Sequence, residues 1–262
     1  MRKTAIIAAL LVAIGLSLSG LFDNEAMYGK IHADAQGYYG YLVAVFLEQS
    51  FDWEQVIHSY ADVYFGGGGS DFTVQSDFGR INKYYAGASL LMLPFFLVSC
   101  LCAWLFGFPL DGYSAPFQYG ITFGALFYVG VGLYFLSRFL EARGISKGVS
   151  IFTVLCCLFA TGLFHYSVSE PAMSHAYSFG LVCVFMFSVD RWLSTDKRID
   201  LLASSLVFGL IVLVRPVNGL VILSVPFIAG GLKPLLEKLK GKDGLIKKLG
   251  LGVLVVFGVL LI

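Results

Sequence analysis

Apolar residues in this chain fall in long blocks rather than at a helical or strand period, and the blocks organise everything else. They occupy 4–22, 84–108, 117–139, 148–168, 172–192, 199–214 and 217–232, and another begins near 249 and runs to Ile262. Most approach the ~20 residues that an α-helix needs to cross a ~30 Å hydrocarbon core. Backbone polar groups find no partner in lipid, so stretches of this kind are helical. The pattern predicts an all-α polytopic membrane protein with about seven transmembrane helices. Stretch 38–47 is aromatic-rich but too short to span, and is predicted to lie along the outer interface, where tyrosines partition. Between 49 and 83 the chain carries scattered charges and the run Gly66-Gly67-Gly68-Gly69, with little periodicity, which predicts a flexible extramembrane loop. Residues 23–115 therefore read as a large first extracytoplasmic loop with membrane-surface elements, inside one membrane domain covering 1–262.

Charge sets the expected orientation. Arg2 and Lys3 precede the first block and hold the N-terminus in the cytoplasm. Ser17-Leu18-Ser19-Gly20 would suit a signal peptidase, but the blocks that follow favour an uncleaved first helix. The basic loops 138–147, 191–198 and 233–248 all lie in the cytoplasm if 84–108 does not cross, and all lie outside if it does. The positive-inside rule thus predicts that 84–108 is a re-entrant or surface element broken at Pro94, in a multi-pass protein of the inner (plasma) membrane. The block still open at Ile262 suggests the N-terminal part of a longer protein.

Composition narrows the function classes. At 58% hydrophobic residues the chain is no soluble domain, and with 18 Lys+Arg against 17 Asp+Glu it has no net charge to attract nucleic acid. Cys100, Cys102, Cys156, Cys157 and Cys183 all sit in apolar blocks without ligands at metal spacing, and read as packed thiols. Walker, dinucleotide-fold, HExxH and nucleophile-elbow signatures are missing, so no nucleotide cofactor is expected.

The orientation collects three polar sites on the extracytoplasmic face. Asp34, followed by Gly37, Tyr38 and Tyr39, is a carboxylate placed where a membrane enzyme could keep a base, or a solvated loop charge. Glu170-Pro171 reads as a helix start, with Pro in the first position and Glu170 at the cap, and Ser174 and His175 in the turns beyond. Glu170 then serves as a second acid or faces a divalent metal, with His175 bonding substrate or metal, or the pair merely caps a helix at the headgroup level. Arg215-Pro216 predicts a turn and a new helix start, a seat for a phosphate or for lipid headgroups. Arg80, Asn82, Lys83 and Tyr84 form a second basic, aromatic edge that could serve the same anion.

In their order and sidedness, Asp34-Ala35-Gln36-Gly37-Tyr38-Tyr39, the stretch 79–96 with its Asn-Lys-Tyr and Leu-Pro-Phe-Phe, and the segments 170–175 and 215–218 resemble a known family. It is the GT-C class of integral-membrane glycosyltransferases, in the branch of protein O-mannosyltransferases and lipid A aminoarabinose transferases. The resemblance implies a polyprenyl-phosphate sugar donor and an acceptor hydroxyl on a glycan, lipid or protein, at the extracytoplasmic face. It makes Asp34 the base toward the acceptor and Glu170 a second acidic site, where many relatives carry Asp. Arg215 falls on the phosphate side by position, and His175, Lys83, Tyr84, Tyr38 and Tyr39 line the substrate region. The competing expectations are a transporter or flippase of a lipid-linked or anionic solute, and a non-catalytic assembly subunit.

Overall fold

The computed structural model describes residues 28–53, 56, 72–77, 79–240 and 245–261. The expected first span at 4–22 and the run Gly66-Gly67-Gly68-Gly69 lie outside these residues. The described chain is mostly helical: α1 (Asp34–Val43), continued by π-helical turns at Ala44–Glu48, α2 (Gly87–Phe106), α3 (Ala115–Ala142), α4 (Lys147–Phe159), α5 (Leu163–Val168), α6 (Ser174–Thr195) and α7 (Arg198–Val214). A 3₁₀ segment Pro216–Ser224 leads into α8 (Val225–Ile228), followed by α9 (Leu232–Leu239) and α10 (Leu245–Leu260).

Among the described residues three helices, α2, α3 and α6, are long and apolar enough to cross a membrane, and Pro216–Ile228 with α9 makes a fourth only if a pair bent by 91° counts as one span. At 17 and 16 residues, α7 and α10 sit at the lower edge of spanning length. The block at 148–168 is two helices, α4 and α5, parted at Ala160-Thr161-Gly162.

The chain divides into two compact units, one reaching to Phe127 and including Leu158–Tyr177, the other made of Tyr128–Cys157 and Ser178–Ile262. In the first unit the aromatic stretch after Asp34 packs within the protein: Ala35, Gln36, Gly37, Tyr38, Tyr39, Gly40, Leu42 and Val43 of α1 are all buried, while Val45 and Phe46 beyond it are exposed. Tyr39 is fully buried between Phe96 and Tyr113, with ring centroids 5.8 and 5.5 Å away, and its hydroxyl donates to the Gly112 carbonyl at 2.5 Å.

The expected flexible loop needs a correction. It contains an antiparallel hairpin, β1 (Thr73–Ser76) and β2 (Gly79–Asn82), in the register Thr73 to Asn82 and Ser76 to Gly79. The hairpin is tied to α1 by the Asn82 amide, which donates to the Gly37 carbonyl at 2.8 Å. A further correction is that α2 is one unbroken helix through Pro94. A proline inside a helix costs about 3 kcal/mol, and the turn that follows Pro94 packs closely on α3. Gly120 and Gly124 of α3 let Phe95 and Ser99 approach closely: a Cβ on Gly120 would lie 3.1 Å from the Phe95 carbonyl, and one on Gly124 would lie 3.0 Å from the Phe95 ring.

Gly37 is a comparable close approach. A Cβ there would enter the Tyr84 ring, lying 2.9 Å from both Cγ and Cε2, and that ring is already held against Tyr38 at 4.7 Å between centroids. Gly37→Ala should therefore destabilise the first unit by about 1–3 kcal/mol, the range for overpacking, seen as a lower unfolding midpoint in detergent. An unchanged midpoint would show that Tyr84 moves aside freely.

In the second unit small residues bring helices together in the way membrane helices favour. A Cβ on Gly180 would lie 2.7 Å from the Tyr128 carbonyl, and one on Gly209 of α7 would lie 2.9 Å from Val259 of α10. Arg143 is anchored by Asp190 at 2.5 Å and by the Ile228 carbonyl at 2.6 Å, and Asp200 holds Arg191 at 3.3 Å.

Candidate functional site

The entry into α1 is a tight turn. Ala35 N–H donates to the His32 carbonyl and Gln36 N–H to that of Ala33, and Ala33 carries a φ of 49°, which L side chains seldom adopt. The turn leaves Asp34 in the first helical turn, exposed, where the positive end of the helix favours a carboxylate. Just upstream, Lys30 is buried and its ammonium donates to the Val168 carbonyl at 2.7 Å, joining segments 138 residues apart. Burial pushes its pKa below the usual lysine value.

Val168 ends α5, and the chain that follows presents Glu170. Ser169 and Glu170 N–H both donate to the His165 carbonyl, and Met173 N–H donates to that of Glu170. Residues 171–173 are therefore a turn and α6 begins at Ser174, so Pro171 is not the first helical residue and Glu170 is not its cap. The backward bonds to His165 close α5 first, and the Glu170–Met173 turn uses the carbonyl a cap would need.

Freed from capping, Glu170 faces two imidazoles. Its Oε1 lies 3.6 Å from His32 Nε2 and 3.5 Å from His165 Nε2, with its own side chain 23% exposed. His32 Nδ1 donates to the Gly29 carbonyl, so in the neutral ring the Nε2 lone pair points at the carboxylate. The contact is attractive through an imidazolium or through a water or cation between the two. Among the described residues no group of three or more His, Cys, Asp or Glu has an arrangement suited to a metal ion. His175, second in α6, stacks on Tyr166 at 3.8 Å and 7°. Next to it the Ser174 hydroxyl is fully buried without a hydrogen-bond partner among the described residues.

The first unit thus brings together Glu170, His175 and the segment bearing Asp34. Lys83 is exposed at the α1–hairpin edge, its ammonium 5.7 Å from the Tyr84 ring centroid. Tyr38, Tyr39 and Tyr84 are packing residues in this conformation, and the Tyr84 carbonyl accepts the Tyr41 hydroxyl at 2.7 Å. Arg215 belongs to the second unit. The chain turns there as the sequence predicts, with Arg215 extended (φ −155°) and Pro216 opening a 3₁₀ rather than an α-helix. Asn218 secures the turn by donating to Ser178 Oγ at 2.9 Å.

Sequence reasoning passed over Lys30, His32 as a partner of Glu170, and His165. His165 had a signal, since an ionisable side chain at the end of an apolar block is there for a partner. Lys30 had none, because nothing local distinguishes a buried lysine from a loop charge. No family, curated protein or solved structure matches the chain.

Proposed function

We propose that the chain is a membrane glycosyltransferase that moves a sugar from a polyprenyl-phosphate donor to an acceptor hydroxyl at the extracytoplasmic face, using about seven spans. The observation that carries the reading is the contact of His32 with Glu170 at 3.6 Å, which sets the Asp34 segment beside the second acid. One carboxylate is then open to an incoming acceptor and the other is held between imidazoles, an arrangement in which environment divides two acids into two roles. In the proposed step Asp34 takes the acceptor hydroxyl proton as that oxygen attacks the anomeric carbon. The bond from that carbon to the phosphate oxygen breaks, and polyprenyl phosphate leaves with the electron pair and with inversion. Glu170 keeps His32 and His165 in place, Lys83 is an exposed cation of the same unit, and Arg215 keeps the phosphate-side role that the resemblance implies.

Arg215→Lys keeps the charge but loses the planar fork, and should weaken donor binding by about 1–3 kcal/mol, the scale of a charge-assisted hydrogen bond. Unchanged donor affinity in Arg215→Ala would leave Arg215 as a headgroup anchor.

Sidedness turns on α2, because an unbroken 20-residue helix is long enough to cross and the basic loops argue that it does not. In a background lacking the native cysteines, Lys83→Cys should react with a membrane-impermeant maleimide in intact cells and Lys147→Cys should not. Labelling of position 147 would put the basic loops outside and overturn the orientation.

A further inference from the structure

The second unit holds a cavity of about 520 Å³ walled by Phe185, Trp192, Phe208, Leu235, Val253 and Phe257, between α7, α10, the Pro216–Ile228 segment and α9. Its two hydroxyls, Ser204 and Ser205, donate to the Leu201 carbonyl at 2.8 and 2.9 Å, so the walls offer almost nothing to a sugar or to water. A buried water needs two to four polar partners, and a dry cavity of this kind takes hydrocarbon.

What lies at its rim identifies the hydrocarbon. α9 turns 91° from the Pro216–Ile228 segment. Its sequence Leu-Lys-Pro-Leu-Leu-Glu-Lys-Leu puts Leu232, Leu235, Leu236 and Leu239 on one face and Lys233, Glu237 and Lys240 on the other. Leu235 and Leu239 line the cavity while Leu232 and Leu236 are exposed, and Lys233 and Lys240 are exposed too. Lys238 points elsewhere, to Asp196 at 3.8 Å, leaving Glu237 as the acid between the two open lysines. A short amphipathic helix of this pattern lies in the interface plane, leucines toward acyl chains and lysines among headgroups. Here it forms the edge of an apolar cavity.

We propose that this cavity binds one acyl chain of an anionic phospholipid whose phosphate is held by Lys233 and Lys240. The lysines supply the preference for an anionic headgroup, since a basic residue near a membrane surface contributes about a fivefold factor each. The site involves neither Asp34 nor Glu170 and stands whether or not the chain transfers sugar.

Trp192 reports on it directly, because it lines the cavity and the chain has only two other tryptophans, Trp53 and Trp104. The full chain with Trp53→Phe and Trp104→Phe is placed in nanodiscs of phosphatidylcholine, and lipid with brominated acyl chains is titrated in. Brominated phosphatidylglycerol should quench Trp192 at roughly 25-fold lower mole fraction than brominated phosphatidylcholine. Lys233→Gln with Lys240→Gln should erase that difference, and Val256→Phe, which narrows the cavity, should weaken the quenching by both lipids. Equal quenching by the two headgroups, a preference that survives the double Gln variant, or no quenching at all would each overturn the proposal. Displacement of brominated phosphatidylglycerol by a stoichiometric amount of polyprenyl phosphate would overturn it as well, by making the occupant the isoprenoid.

Discussion

Asp34→Asn should lower sugar transfer by about 10²- to 10⁴-fold while donor binding and the unfolding midpoint stay near wild type. Asn is nearly isosteric, and Asp34 is exposed at the first turn of α1, so little of the fold depends on its charge. What disappears is proton acceptance, which is worth that range in general-base catalysis. Asp34→Glu should be almost as slow, since one methylene displaces the carboxylate by about the 1 Å that can cost 10²-fold. Transfer rate and donor affinity measured separately on the purified protein decide the matter. Wild-type transfer by Asp34→Asn would make Asp34 a loop charge, and loss of donor binding would assign it to the donor instead.

Glu170→Gln is expected to reduce transfer by roughly 10- to 100-fold, the equivalent of about 1.5–3 kcal/mol for a hydrogen-bonded charge. In the proposed step Glu170 acts through His32 and His165, so the informative readout is coupling rather than loss alone. His32→Gln should cost much less in the Glu170→Gln background than in wild type, with an interaction term of about 0.5–3 kcal/mol. Independent effects that add within about 0.5 kcal/mol would mean that the 3.6 Å contact carries nothing into the reaction.

The helices of this fold were legible where burial is set by lipid and hidden where it is set by protein. α3, α6 and α7 begin and end within a few residues of the apolar blocks that announce them, because a long carbon-rich run has only one way to satisfy its backbone in a membrane. The burial of α1 was hidden for the opposite reason. Its tyrosines are chemically suited to an interface, and their packing against Phe96, Tyr113 and Gly112 is tertiary. Pro94 reads as a break from local cost alone, while the contacts of Gly120 and Gly124 with Phe95 and Ser99, just beyond it in α2, are tertiary.

The site followed the same division. Asp34 and Glu170 could be singled out as carboxylates beside glycine, tyrosine and proline. The partnership of Glu170 with His32 and His165 depends on α5 closing at its own histidine, a backbone event with no sequence period. The assumed cap at Glu170 failed at that point, because the carbonyl that would have started the helix accepts Met173 instead. Tyr38 and Tyr39, expected at the substrate region, are both buried, through partners distant in sequence.

The central claim is transfer from a lipid-phosphate sugar, and the most direct test follows the sugar out of the lipid. Purified protein in nanodiscs is given a polyprenyl phosphate carrying a radiolabelled sugar together with a cell-envelope acceptor fraction, and label remaining in the organic phase is counted over time. Wild-type protein should deplete that phase and pass label to the acceptor, a matching nucleotide sugar should not substitute, and Asp34→Asn should bind the donor yet leave the label in the lipid. Lipid-phase label that stays constant with wild-type protein bound to its donor, or that falls equally fast with Asp34→Asn, would contradict the account.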